Sequence, residues 1–155
     1  MAKAPIEQRA IDRTVSADEG IAKPAANGIY TSNNLIDVTA PANAAVPSVK
    51  EYLDYMASIG KSDIAATAAA GWTTAEVTVA IIKQAQASPD GLSRASIINA
   101  ARNFTYTPML ARQGVVDKSM GAEDPFLVET LQVLQYDADT ATFTDIGTLI
   151  TEFES

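Results

Sequence analysis

The alternation of hydrophobic and polar positions is helical through the middle of the chain and strand-like towards its end. The longest helical stretch runs from Ser62 to Ala87. In it Trp72, Ala75, Val79 and Ile82 recur at intervals of three and four, which puts them on one face of an α-helix. The spacing predicts one long helix with those four residues as its buried stripe. Ser62 or Asp63 can start it by accepting a backbone N–H, and Pro89-Asp90-Gly91 ends it. Upstream, Val49, Leu53 and Met56 mark the buried side of a helix opening at Ser48, with Gly60 as its C-cap. Downstream, Leu92, Ala95, Ile98 and Ala101 or Arg102 predict a third amphipathic helix over 92–103, begun by Ser93 or Asp90. Leu127–Tyr136 and Ala141–Ile150 are β-branched and aromatic, and Asp137 to Thr140 suits a four-residue hairpin loop between two strands.

The remaining segments carry weaker patterns. Ile6, Ala10 and Val15 space a short helix over Ala2–Asp18, and Gly28 to Ser32 reads as a strand. Asp37 to Pro47 is rich in Ala and Pro and should cross the surface extended, without regular hydrogen bonding. Pro108 and Gly114 make Phe104–Asp117 irregular or weakly extended, and Gly121 to Pro125 a turn-rich boundary.

Composition narrows the chemistry. At 155 residues and 47% hydrophobic content the chain can bury the core of one domain. Nineteen acidic against eleven basic residues give a net charge of −8, and no basic cluster interleaved with aromatics occurs, which argues against nucleic acid as a partner. No run approaches the eighteen or so apolar residues of a membrane span, and the N-terminus lacks the apolar core of a signal peptide. The absence of Cys and His removes disulfides, the common zinc ligand sets and the Ser-His-Asp and Cys-His arrangements. No metal site and no cofactor is expected.

Several local patterns have a structural and a chemical reading. Ala65, Ala66, Ala68, Ala69, Ala70 and Gly71 strip the first turns of the long helix of bulk, which permits either tight helix packing or close approach of an anion to the helix start. Ser58-Ile59-Gly60-Lys61 has the Ser-x-x-Lys spacing of some acyl hydrolases, but Gly60 breaks the helix that would present the Ser. Asp137-Ala138-Asp139 lacks the later ligands and the Gly of a calcium loop and reads as a turn. Asn103-Phe104-Thr105 is a glycosylation acceptor only in a glycosylating secretory pathway.

The order of Gly28-Ile29-Tyr30, the Pro-rich crossing, VKEYLDYM at 49–56, AAAGWTTAEVTVAIIKQA at 68–85, SRASIINAARN at 93–103 and VETLQVLQYDADTATFTDIG at 128–147 resembles the late part of type I periplasmic binding proteins. The branched-chain amino-acid branch of ABC transporters is the nearest likeness. The resemblance implies an α/β chain with a helix-rich middle and a C-terminal β-hairpin, a partial type I fold truncated on its N-terminal side. It places 1–28 in a second lobe with its linker, 29–125 as helical cover of a first lobe, and 126–155 as a hairpin returning to the second. It further implies a non-enzymatic solute-binding protein, periplasmic or extracellular, that delivers a branched-chain or related amino acid to an ABC permease. Ala69, Trp72 and Tyr30 are the positions it places against ligand. The isolated chain is expected to bind amino acids weakly or not at all. A structural module assembling as a homo-oligomer is the alternative, and a Ser58/Lys61 acyl hydrolase the third reading. Apolar helix stripes without a sheet to cover lead to the expectation of a homodimer.

Overall fold

The computed structural model describes residues 26–120, 126–140 and 142–151. The expected helix over Ala2–Asp18 and the turn at 121–125 lie outside the described residues. The described chain divides into two compact units, one holding 26–33 and 132–148, the other 34–131 and 149–151.

The first unit is built on a three-stranded sheet of order β1-β4-β5, with β1 at Tyr30–Asn33, β4 at Leu131–Asp137 and β5 at Thr142–Ile150. β1 runs antiparallel to β4, with Tyr30 opposite Gln135 and Asn33 opposite Gln132. Strict alternation makes β4 a half-buried strand, in which Gln132, Leu134 and Tyr136 point inward. The expected hairpin turn is present: the Asp137 carboxylate accepts the N–H groups of Asp139 and Thr140, so the side chain itself closes the turn.

The second unit carries the helices. α1 (Pro47–Ser58) starts with Pro47 in its first turn, where a missing N–H costs nothing. Its end is a Schellman motif, with Gly60 at φ 68°, the Gly60 N–H on Ala57 and the Lys61 N–H on Met56. A 3-10 turn at Ser62–Ile64 leads into α2 (Ala65–Gln86), and α3 (Arg94–Arg102) follows. Ser93 caps α3 through a reciprocal pair of bonds with Ser96. At the start of α2 neither Ser62 nor Asp63 caps, because the 3-10 turn already occupies the Ala65 N–H through the Ser62 carbonyl. The Ala/Pro-rich crossing likewise is not free of regular bonds, since Pro41–Asn43 folds into a 3-10 turn.

Two buried stripes differ from expectation. α2 buries Ala65, Ala69, Thr73, Val77 and Ala85, while Val79 and Ile82 stay 48% and 37% exposed. α3 buries Ser96 and Ala100, while Ile98 faces outward and Leu92, expected to open the helix, lies exposed before it. In both helices the small residues go inward because they let neighbouring backbones come close, and the bulky apolar residues are left on the outer face. α1 follows the expected pattern more closely, burying Val49, Tyr52 and Met56 with Leu53 half-buried beside them.

The core joins Val38, Val49, Tyr52, Met56, Ala65, Ala69 and Leu110. Tyr52 lies between α1 and α2, wholly buried, and its hydroxyl donates to the Ala65 carbonyl at 2.6 Å. The segment expected to be irregular or weakly extended is so over 107–116, while its two ends join a second sheet, β2 (Asn103–Tyr106) antiparallel to β3 (Asp117–Met120), with Phe104 opposite Ser119 and Tyr106 opposite Asp117. Gly114 is confined by φ 87° and by the Leu149 side chain, which would stand 2.7 Å from a Cβ there.

A segment covering the 3-10 turn and α2, Ser62–Gln86, is long and apolar enough by length and composition to cross a membrane, which corrects the expectation from the sequence; 22% of its most apolar window is buried. Its many alanines, with Val77, Val79, Ile81 and Ile82, raise its apolar character without forming a continuous run of large side chains. Glu76 at its middle is bonded to Tyr106 and Met109, which docks the helix in this unit.

Candidate functional site

Along the outer face of α2, Trp72, Glu76, Val79 and Lys83 fall at steps of four, three and four, one stripe of the helix. Facing that stripe are Tyr106, at the end of β2, and Met109. Together they border an open groove of ≈ 450 Å³. Its walls are apolar at Trp72, Val79 and Met109, with one anion, Glu76, and one cation, Lys83.

Glu76 holds the groove's far wall in place. Its Oε1 accepts the Tyr106 hydroxyl at 2.8 Å, and its two oxygens accept the Met109 N–H at 3.0 and 3.1 Å. The hydrogen bond to Glu76, then burial, then the carboxylate's charge push the Tyr106 phenol above its ordinary value. Across the β2–β3 ladder from Tyr106 lies Asp117, 2% exposed, with an Oδ1 that has no hydrogen-bond partner among the described residues. Burial and, second, the negative charge of Glu76 push its carboxyl above the usual carboxylate range.

The folded chain therefore holds a proton on Asp117 more tightly than the unfolded chain does. The stability this gives is complete below the ordinary carboxylate pKa, about 4, and is lost as pH rises through the folded value. Asp117→Asn is accordingly expected to raise the melting temperature by a few degrees at neutral pH, roughly 1 kcal/mol, with the advantage shrinking as pH falls through the raised folded value and gone by about pH 4. Thermal melts of both proteins between pH 3 and 8 test this; a lower melting temperature for the variant at pH 7 contradicts it.

Trp72 borders the groove and meets Tyr52 and Tyr55 edge-on, with ring centroids 5.4 and 5.1 Å away. Ala69, one turn earlier, is not at the groove: it is 6% exposed and belongs to the core between α1 and α2. Tyr30 lies in the other unit, 63% exposed on β1. The small residues at the start of α2 serve packing at Ala65 and Ala69. Ser58 donates its hydroxyl to the Tyr55 carbonyl at the C-terminal end of α1, away from any helix start. Sequence reasoning missed Glu76, Lys83, Tyr106, Met109 and Asp117. The available signal was Glu76 itself, an acid in the apolar run AEVTVAII.

Neither a family model nor a curated protein matches the chain. Among solved structures it is similar to a branched-chain amino acid ABC transporter protein from Thermus thermophilus crystallised with bound valine, with a TM-score of 0.57 and 15% identity. The match covers 85% of this chain and 35% of that one, so the chain spans about a third of the length of the protein it resembles. What is shared is the fold. It is an α/β arrangement that fits part of a type I periplasmic binding protein, as the residue order implied.

Proposed function

We propose that this chain supplies part of a solute-binding protein of an ABC transporter, which takes a branched-chain or related amino acid without catalysis. The likeness in fold to a protein holding valine, over 85% of this chain, is the observation that carries the reading. In this reading 1–28 and 126–155 belong to one lobe and 29–125 cover the other, the compartment is periplasmic or extracellular, and the partner is an ABC permease. Trp72 offers the ligand an apolar wall at the edge of the groove, backed by the core cluster to which Ala69 belongs. Closure of lobes around a small zwitterion is the mechanism.

Since the match spans 35% of the valine-bound chain, only part of such a pocket comes from these residues, and the missing contacts weaken binding. Calorimetry with the standard amino acids is expected to give Leu, Ile and Val the strongest heats, with a Kd of about 1 mM, reduced several-fold by Trp72→Ala. A micromolar Kd would contradict the partial pocket, and no response to any amino acid would contradict solute binding.

A second reading, a homo-oligomeric assembly module, is favoured by the outward faces of Val79, Ile82, Leu92 and Ile98, each more than a third exposed.

A further inference from the structure

We propose that the Glu76–Lys83 stripe of α2 is the seam of a two-fold homodimer, in which α2 of a second copy lies antiparallel along the groove. The proposal rests on the assembly reading and gives it a surface and a register. Glu76 and Lys83 stand seven residues apart, about 10 Å along the helix axis, and both border the groove. An antiparallel copy whose two-fold axis passes between Val79 and Ala80 brings each Glu76 level with the other chain's Lys83. Among the described residues Glu76 and Lys83 are the one anion and the one cation bordering the groove, and in this register they pair twice.

The middle of the seam fits the same register. Val79 faces Ala80 of the second copy, an apolar residue against a small one, so the helices can come together at the short end of the usual interaxial range. Val79, 48% exposed and bordering the groove, becomes covered. Antiparallel α2 helices also set opposite helix dipoles side by side. Glu76 keeps its bonds to Tyr106 and Met109, which fix its carboxylate at the groove before the second copy arrives. Trp72 falls level with Ala87 of the second copy, one residue past the end of α2 at Gln86, so the seam reaches the edge proposed for ligand and the two compete there. The net charge of −8 on each copy acts at longer range and is screened at physiological salt.

Light scattering on a size-exclusion column is the first test, run on the full chain from tens of micromolar to below one. The expected mass is twice 16.3 kDa at the upper concentrations. Val79→Asp and Lys83→Glu are each expected to return it to 16.3 kDa with an unchanged circular dichroism spectrum. Tyr30→Ser, in the other unit, is expected to leave the dimer intact. Because the chain has no cysteine, Ala80→Cys introduces a single thiol beside the axis that a short bis-maleimide should join between copies, while Thr67→Cys, far along the helix from the axis, should not be joined. This pair needs no disruptive substitution, so it decides the matter even if Val79→Asp fails to fold. A monomer at all concentrations, a dimer that survives Lys83→Glu, or crosslinking through Thr67→Cys in place of Ala80→Cys would each overturn the proposal. Calorimetry with valine on the Lys83→Glu variant, monomeric in this account, leaves the edge at Trp72 uncovered, so failure of the dimer and failure of solute binding are told apart.

Discussion

Tyr52→Ala is expected to lower the unfolding free energy by about 3–5 kcal/mol, the range for deleting a fully buried aromatic ring. Tyr52 has no exposed surface, its ring meets Trp72 edge-on, and its hydroxyl donates to the carbonyl of Ala65 in the first turn of α2. It is thus the side chain through which α1 fixes α2, and its loss opens a cavity that the surrounding Val49, Met56 and Leu110 can fill only in part. For a domain whose whole stability is of order 5–15 kcal/mol, such a loss removes much of it. Tyr52→Phe keeps the ring and loses the hydroxyl, so about 1 kcal/mol is expected. Urea unfolding of the three proteins separates packing from hydrogen bonding: equal losses for Phe and Ala would mean that the ring's burial contributes little, against this account.

Glu76→Ala is the second large effect, expected at about 2–3 kcal/mol, because one carboxylate receives donors from two places and hydrogen bonds to a charged group are worth about 1.5–3 kcal/mol each before water replaces some of them. The half-buried Tyr106 hydroxyl and the Met109 N–H both lose their acceptor. Glu76→Gln keeps one acceptor oxygen and should lose about half as much. The substitution also has a spectroscopic signature. The hydrogen bond to Glu76 is the largest cause holding the Tyr106 phenol above its ordinary value, so ultraviolet titration should show one tyrosine ionising at lower pH in Glu76→Gln. An unchanged titration would mean that the Glu76–Tyr106 bond is not made in solution.

The three helices and the C-terminal hairpin were legible because each had a local cause. Periodic apolar residues marked α1, α2 and α3, the Ser93 cap and Gly60 marked boundaries, and the Asp137 turn marked the hairpin. The faces were not legible in the same way. In α2 almost every stripe contains Ala, Thr or Val, so the stripe of Trp72, Ala75, Val79 and Ile82 and the stripe of Ala65, Ala69, Thr73 and Val77 fit a helix equally. Which one is buried depends on what packs against it, and α1 selects the smaller side chains. β2 and β3 escaped notice because their residues are mixed in polarity, with Asn103, Thr105, Lys118 and Ser119 among them, and because Pro108 and Gly114 between them read as breaks. Of the groove, Trp72 was legible as the one tryptophan on a helix. Glu76 was not singled out because its partners, Tyr106 and Met109, are 30 and 33 residues further on and become neighbours only through the turn from α3 into β2.

That Trp72 is the one tryptophan makes the central proposal directly measurable. Its indole gives a single side-chain N–H resonance and dominates the fluorescence, and it sits at the edge proposed for an amino-acid side chain. Titration with valine is expected to shift both signals saturably, with a midpoint of about 1 mM, and isoleucine and leucine should do the same while aspartate and lysine do not. No change in the Trp72 signals up to tens of millimolar in any branched-chain amino acid would contradict the account.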